Sequence, residues 1–480
     1  MFQTVQIPIW LLLLILLFAT VTFASHFLFP SVRWFFRKRL ERVVRRLNQR
    51  LERPIEPFRL ARRQDLIRRL TYDPDIAHAI RDHAREEGLR EDVAFEMVRR
   101  YAREIVPSFS ASLYFGTAVR LARRLSRTLY RVRLGYVDEA ALQKMNPDAT
   151  VVFVMNHRSN MDYVLVTYLA ASRSALSYAV GEWARAWPLK HLIRTMGAYF
   201  IRRRSRNALY RRVLARYVQM ATAAGVTQAV FPEGGLTRDG LLKPAKLGLL
   251  NYIVSGFDPD DGARDVLFVP VGLNYDHVLE DRLLLAARRG DRTRIACNIW
   301  RCMCFLGRHI RLRVIGRFHR FGYASVSFGT PVSLRAYLAH NARDSHTRTT
   351  AELGRELMRR VGRVVPVLPV SLIATVLLDQ GATGLSRGAI QRLAAEELDR
   401  LTAAGACAHI PRRDLDDAVE TGLCLLVLRR AVSREGENCF VGPEQEELLR
   451  YYANAIAHLR RDCGQKPRLN PDHVADVMVR

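Results

Sequence analysis

Cysteine is scarce: seven among 480 residues, an odd number confined to the later part of the chain. That excludes a disulfide-stapled fold, which needs a paired and regularly spaced set, and fits a reducing compartment. The glycine-rich loops G-x-x-x-x-G-K and G-x-G-x-x-G are missing, as is the G-x-S-x-G elbow. Neither nucleotide-driven chemistry nor serine hydrolysis is therefore favoured. No internal repeat and no low-complexity linker interrupts the chain. With 49% hydrophobic and 25% charged residues it has globular composition and length enough for two or three domains. Acid is the largest deficit, since 47 Asp and Glu against 75 Lys and Arg leave a net charge of +28. An excess of this size points to an anionic partner, whether nucleic acid, an anionic membrane face or a phosphorylated substrate, and says nothing about fold.

What is present begins with Ile7 to Phe29, a 23-residue run without Asp, Glu, Lys or Arg. At 1.5 Å per residue it can cross a ~30 Å hydrocarbon core. A cleaved signal peptide is the competing reading, because Ala19 to Ser25 holds small residues. Against it, no Lys or Arg precedes the run, the run exceeds a signal core, and a basic segment follows at once. The expectation is a single-pass anchor over residues 1–32 with Trp10 and Trp34 at its two interfaces. Arg33, Arg37, Lys38, Arg39, Arg42, Arg45 and Arg46 then place the bulk of the chain on the cytoplasmic side.

From Arg33 to Arg133 there are 26 Lys and Arg against 13 Asp and Glu. Apolar residues recur there at helical spacing, as in Leu66, Ile67, Leu70 and Val93, Phe95, Met97, Val98. Residues 33–135 thus read as a basic helical region near the membrane, with anionic lipids as partner; for most arginines taken singly, a solvated amphipathic face suffices. From Val151 short apolar runs alternate with helical stretches, an α/β rhythm. The runs are Val151 to Met155, Ala198 to Ile201, Gln228 to Phe231, Val266 to Val271, Ile310 to Ile315 and Ser325 to Phe328. From about Arg359 the pattern is helical again, through Val364 to Leu378, Ala389 to Ala404 and Pro443 to Leu459.

Chemistry concentrates in Asn156-His157-Arg158-Ser159-Asn160-Met161-Asp162, directly after the first of those strands. On one continuous helix a His and an Asp five apart would point ~140° away from each other. They can meet only if the His lies in the loop and the Asp in the first helical turn, and Ser159 and Asn160 are suitable N-cap residues for that start. A carboxylate beside the imidazole would fix its tautomer and make the other ring nitrogen a general base for a hydroxyl. Equally open from these residues alone is a capping box in which Asp162 partners Ser159.

Three more segments share the theme. Gly197 to Arg204 is a strand running into arginines, inside a stretch between Glu182 and Glu233 that has no acidic residue. Phe231-Pro232-Glu233-Gly234-Gly235-Leu236-Thr237-Arg238 ends another strand; its glycines let backbone approach a ligand and Arg238 can fork onto phosphate. Val269 to Tyr275 carries Pro270, which fits an edge strand or a tunnel wall.

In this order and spacing the four segments resemble the H-x-x-x-x-D, G-x-x-F-I-x-R, F-x-E-G-G and V-P blocks of the glycerolipid acyltransferase family, over roughly residues 110 to 380. His-Arg-Ser, Phe-Ile-Arg-Arg and Glu-Gly-Gly are more similar to glycerol-3-phosphate acyltransferases of the bacterial membrane type than to lysophosphatidate acyltransferases. Leu242 to Gly248 looks like the continuation of the third block. One departure is Leu236, where the family usually has arginine; Arg238 matches a second arginine of the glycerol-3-phosphate type.

The resemblance implies an α/β fold, a mixed sheet flanked by helices, with a catalytic domain over 136–358 and a C-terminal helical region over 359–480. It implies a bacterial inner-membrane enzyme facing the cytoplasm. His157 and Asp162 would be catalytic, and Arg158, Ser159, Arg202, Glu233, Gly234, Gly235, Arg238, Lys243 and Lys246 would bind substrate. Acyl-CoA or acyl carrier protein would be the donor and glycerol 3-phosphate the acceptor, with lysophosphatidate as the alternative. No metal or redox cofactor is expected. A non-catalytic basic membrane binder would need neither His157 nor Asp162. Nucleic acid is disfavoured because no binding motif appears and a membrane span precedes the basic region. Cys297, Cys302, Cys304 and His309 lack the spacing of a zinc knuckle, and Asp258, Asp260 and Asp261 before Gly262 read as a surface turn.

Overall fold

A computed structural model describes residues 8–462 apart from 172–173, 182–188, 203–204, 206, 260–261, 263, 291–319, 342–345, 382–383, 409 and 411–414. Cys297, Cys302, Cys304, His309, the strand expected over Ile310 to Ile315, and Arg203 and Arg204 lie outside the described residues. Two compact units are present, Met1–Ile55 and Glu56–Arg480.

The first unit is built on one helix, Ile9–Asn48. Ile9, Trp10, Leu13, Leu14, Leu17 and Phe18 are more than half exposed on it. Thr20 and Thr22 turn their hydroxyls back to the Leu16 and Phe18 carbonyls, 2.7 Å each, so these polar groups are satisfied within the helix. The expected membrane span is not found as such: among the described residues no helix is long and apolar enough to cross a membrane. Side chains 23–37 lie outside the described residues.

In the second unit, eight strands among the described residues form one mixed sheet. They are β1 (Arg131–Val137), β2 (Thr150–Met155), β3 (Ser177–Val180), β4 (Tyr199–Phe200), β5 (Gln228–Val230), β6 (Val266–Tyr275), β7 (Tyr323–Phe328) and β8 (Val332–Ser333). Their order is β1-β7-β6-β2-β5-β3-β4, with β8 also on β6. Strands β2 to β6 run parallel to one another, while β7 and β8 are antiparallel to β6. The ends of β2, β3, β4, β5 and β6 therefore open on one edge of the sheet, the edge where parallel α/β sheets place their ligands.

Both faces are apolar, as a sheet covered on both sides requires. Val151, Phe153 and Met155 of β2 point into a core shared with the helix Met161–Ala170 and the C-terminal helices Pro369–Asp379, Arg387–Ala403, Leu415–Leu428 and Pro443–Ala453. Val152 and Val154 point the other way, into a core with the helices Arg63–Thr71, Pro74–Glu86, Glu91–Ile105, Ala208–Ala223 and Gly248–Ser255. The basic helices from Pro57 onward are thus one covering layer and the C-terminal helices the other.

Three features depart from the sequence reading. Strand β1 lies inside the stretch expected to be helical; its burial is irregular, so period-two alternation is weak there. A small antiparallel sheet of Leu385–Ser386, Ser433–Glu435 and Asn438–Phe440 interrupts the C-terminal helices. Pro270, expected at an edge or in a tunnel wall, sits inside β6 between β2 and β7. Its carbonyl accepts from Gly329 N at 2.8 Å. Its missing N–H falls where β7 gives way to β8, a break in the ladder that tolerates proline.

At the opposite edge a single arginine joins the basic layer to the sheet. Arg59 is buried and donates to the carbonyls of Ala175, Leu176 (2.7 Å) and Met196 (3.2 Å), residues leading into β3 and β4. Its guanidinium lies 4.0 Å from the Phe109 ring centroid. Burial pulls it down to about 10. Arg59→Ala leaves carbonyls without a donor and a hole, and is expected to lower the unfolding free energy by about 3 kcal/mol. Urea unfolding followed by circular dichroism checks this; unchanged stability would mean the arginine ties nothing.

Candidate active site

Strand β2 stops at Met155, but Asn156 continues its pairing with a side chain. Asn156 Nδ2 donates to Leu273 O at 2.9 Å and its Oδ1 accepts from Leu273 N at 2.8 Å, fixing where the chain leaves the sheet. His157 follows in the loop, and Asp162 is the second residue of the helix Met161–Ala170. This is the arrangement the five-residue spacing demanded.

Asp162 collects four donors. Its Oδ2 takes His157 Nδ1 at 2.8 Å, Arg158 N at 2.8 Å and Ser159 N at 3.1 Å, while Oδ1 takes the Tyr275 hydroxyl at 2.7 Å. The bond to Ser159 N and that from Met161 N to Ser159 Oγ, 3.1 Å, make the turn a capping arrangement as well. The two readings of Asp162 are therefore one structure. With Nδ1 donating, the tautomer assigned by this network leaves Nε2 as the basic nitrogen. Nε2 has no hydrogen-bond partner among the described residues. The ring stacks on Phe231, centroids 4.1 Å apart, and meets Tyr163 edge-on at 5.5 Å.

Glu233, just past β5, braces the same loop from below. Its Oε1 accepts from His157 N at 2.8 Å and its Oε2 from Lys243 N at 3.3 Å. Burial pushes this carboxyl up to about 7, opposed by the Arg158 charge and by the His157 and Lys243 N–H groups. Gly234 has φ 70°, and a Cβ there would meet Lys246 Cδ at 2.6 Å. Gly235 is half-buried in the same turn, the Lys243 side chain is half-buried and that of Lys246 exposed. Thr237 N closes the turn back onto His157 O at 3.1 Å.

Not every expected substrate ligand faces this loop. Arg158 is buried, and its guanidinium donates to Gly240 O and to Ala455 O (3.1 Å), tying the motif to the C-terminal helices. Ser159 Oγ donates to Glu280 Oε2 at 2.7 Å. Arg202 is held in a two-point pair with Glu104, 2.9 and 2.6 Å, between the rings of Tyr101 and Tyr210. Arg238 is exposed and reaches Ala287 O at 3.4 Å. Sequence reasoning assigned no part to Asn156, Tyr275 and Glu280. Tyr275 ends the fourth motif strand, which hinted at it; nothing in the sequence signalled Glu280.

Comparison with known proteins bears out the resemblance. The family described as Acyltransferase matches residues 137–274, and the one described as Glycerol-3-phosphate acyltransferase C-terminal region matches residues 312–460. A glycerol-3-phosphate acyltransferase of Aeromonas hydrophila is 28% identical over 449 residues, 88% of this chain and 53% of the relative. One from Pseudomonas savastanoi is 25% identical over 419 residues, 83% of this chain and 49% of the relative. The chain spans about half the length of these curated relatives. Among solved structures, a 1-acyl-sn-glycerophosphate acyltransferase from Thermotoga maritima covers 51% of this chain and 78% of its own, with 19% identity and a TM-score of 0.31.

Glu233 makes stability depend on pH. Its carboxyl is raised from 4.5 unfolded to about 7 folded. Between those values the folded protein holds a proton the unfolded chain has released, so this contribution is complete below pH 4.5 and lost as pH rises through 7. The stability of the native chain relative to Glu233→Gln is expected to fall from pH 5 to pH 8. Denaturant titrations of both proteins check it; a difference that stays flat or rises with pH would contradict the assignment.

Proposed function

We propose that the chain is an acyltransferase that moves a fatty acyl group from a thioester to the hydroxyl of glycerol 3-phosphate. The observation that carries this reading is His157, locked by Asp162 through Nδ1, with Nε2 unpaired among the described residues at the edge of the sheet where β2 and β5 end. In this mechanism Nε2 takes the proton as the hydroxyl oxygen attacks the thioester carbonyl. The C–S bond then breaks, and the proton passes from His157 to the departing thiolate. Asp162 keeps the ring in the reactive tautomer and offsets the positive charge that forms on it. Glu233 does not touch the reacting atoms; it holds the His157 main chain.

The acceptor's phosphate needs cations with free donors. Lys243 and Lys246, beside Gly234, and Arg238 on the same loop suit this better than Arg158, whose guanidinium is bound to carbonyls. Arg202 takes part with the N–H groups that its two-point pair with Glu104 leaves over, chiefly those of Nη1. Leu236, which is partly buried against the core in place of the family's arginine, leaves room for a second reading in which the acceptor is lysophosphatidate. Acyl-CoA and acyl carrier protein are both anionic, and a chain of net charge +28 attracts either.

The reading places the chain on the bacterial inner membrane, held by the Ile7 to Phe29 run with the second unit in the cytoplasm. The exposed apolar side chains from Ile9 to Phe18 and the arginines from Arg33 to Arg46 support that topology. The anionic leaflet is the counterion for the basic segment behind the run.

Purified chain in detergent, given labelled acyl-CoA or acyl carrier protein, is expected to acylate glycerol 3-phosphate. His157→Ala is expected to lower kcat by roughly 10² to 10⁴. Product from lysophosphatidate alone would move the assignment to the second reading. Full activity in His157→Ala would remove the mechanism.

A further inference from the structure

The helix that carries Asp162 starts at a turn with an outside support. Ser159 Oγ donates to Glu280 Oε2 at 2.7 Å, and Asn160 donates to Glu280 Oε1 through Nδ2 at 3.0 Å and through its main-chain N at 3.3 Å. Glu280 therefore accepts three bonds from the two residues directly before the helix. None of the four motif blocks contains it.

The segment that presents Glu280 is fixed at nearly every residue. Asp276 accepts from Tyr323 N at 2.7 Å and Val370 N at 3.0 Å. His277 O accepts from the Tyr130 hydroxyl at 2.7 Å, and Val278 N donates to the Tyr452 hydroxyl at 3.1 Å. Asp281 is paired with Arg429, which also donates to the Tyr452 hydroxyl at 2.8 Å. Although burial alone would pull Arg429 down, Tyr452 and Asp281 hold it above its ordinary value, so this buried pair stays charged. Val370, Arg429 and Tyr452 all belong to the C-terminal helical region. A rigid platform, built largely by that region, aims one carboxylate at the loop.

We propose that Glu280 is a positioning residue for the His157–Asp162 pair, and that the C-terminal helices serve the reaction by holding it in place. This rests on the acyl-transfer reading above. Without Glu280 the turn at Ser159 and Asn160 loses, among the described residues, its acceptor outside its own helix, and the Ser159 N–H that helps to hold Asp162 Oδ2 on His157 Nδ1 is less firmly placed. Displacement of a catalytic group by ~1 Å costs up to ~100-fold in rate. Nothing in these contacts reaches toward substrate, so the effect belongs in kcat and not in KM.

Two variants separate reach from charge. Glu280→Gln keeps the length of the side chain and one acceptor oxygen, enough for the two Asn160 bonds, with its NH2 turned to the Ser159 hydroxyl, and removes the charge. Glu280→Asp keeps the charge but draws the carboxylate back by one methylene. Kinetics in detergent and amide hydrogen exchange over residues 157–163 are measured on both. The expected result is a kcat near native for Glu280→Gln and a ~10- to 100-fold lower kcat for Glu280→Asp, with KM for the acceptor unchanged. Exchange over 157–163 quickens only in Glu280→Asp. The proposal is overturned if Glu280→Asp is native-like, if Glu280→Gln is the more damaged, or if the loss appears in KM. A native chain that acylates no acceptor removes the acyl-transfer reading instead; the exchange arm then decides the positioning role alone.

Discussion

The carboxylate of Asp162 is the point on which the rest of the site depends. Four donors converge on it from two parts of the chain: the His157 ring and the next two main-chain N–H groups of the same loop, and the Tyr275 hydroxyl at the end of β6. A buried carboxylate is costly unless its lone pairs are satisfied. Here the satisfying groups are the ones that must be ordered for the imidazole to act. The helix start, the loop shape and the tautomer of His157 follow from one requirement, that this acid be fully bonded. Glu233 and Glu280 repeat the device on either side, so three carboxyl groups surround four residues of loop.

The two helical flanks, so different from the sheet in sequence texture, are its covering layers. One face is closed by the basic helices and the other by the C-terminal helices, which also send Ala455 O to Arg158 and Arg429 with Tyr452 to Asp281. Part of the arginine excess has an explanation here that involves no external anion. Arg59, Arg63, Arg158, Arg282 and Arg335 donate to main-chain carbonyls, contacts that need no matching acid. A chain can therefore carry many more arginines than carboxylates while bonding a number of them internally. The arginines from Arg33 to Arg46 and the lysines of the Glu233 loop remain as candidates for lipid and substrate anions.

Legibility in the sequence followed the range of the interactions. The His157–Asp162 geometry was readable because five residues, a cap and a helix phase determine it locally. The strands β2, β5 and β6 were readable because burial on both faces writes a continuous apolar run. Strand β1 was not, since Arg131 and Arg133 continue the basic composition of the helices before it and the exposure of Leu134 beside Arg133 breaks the period-two pattern. Glu280 and Tyr275 reach the site across more than a hundred residues, and no local pattern encodes such a meeting. Arg158 and Arg202 illustrate the converse. Motif position alone suggested ligands, and it gave no sign of the partners that hold them in the fold, Ala455 O and Glu104, which lie far away in sequence.

The central claim is that His157 and Asp162 act as one unit, and a double-mutant cycle on acyl transfer tests it most directly. His157→Ala, Asp162→Asn and the double variant would be compared by kcat with acyl donor and acceptor both saturating. Residues that act as a unit are strongly non-additive. The expected result is a double variant no slower than His157→Ala alone. Losses that multiply, with the double variant slower by the product of the two single effects, would contradict the account.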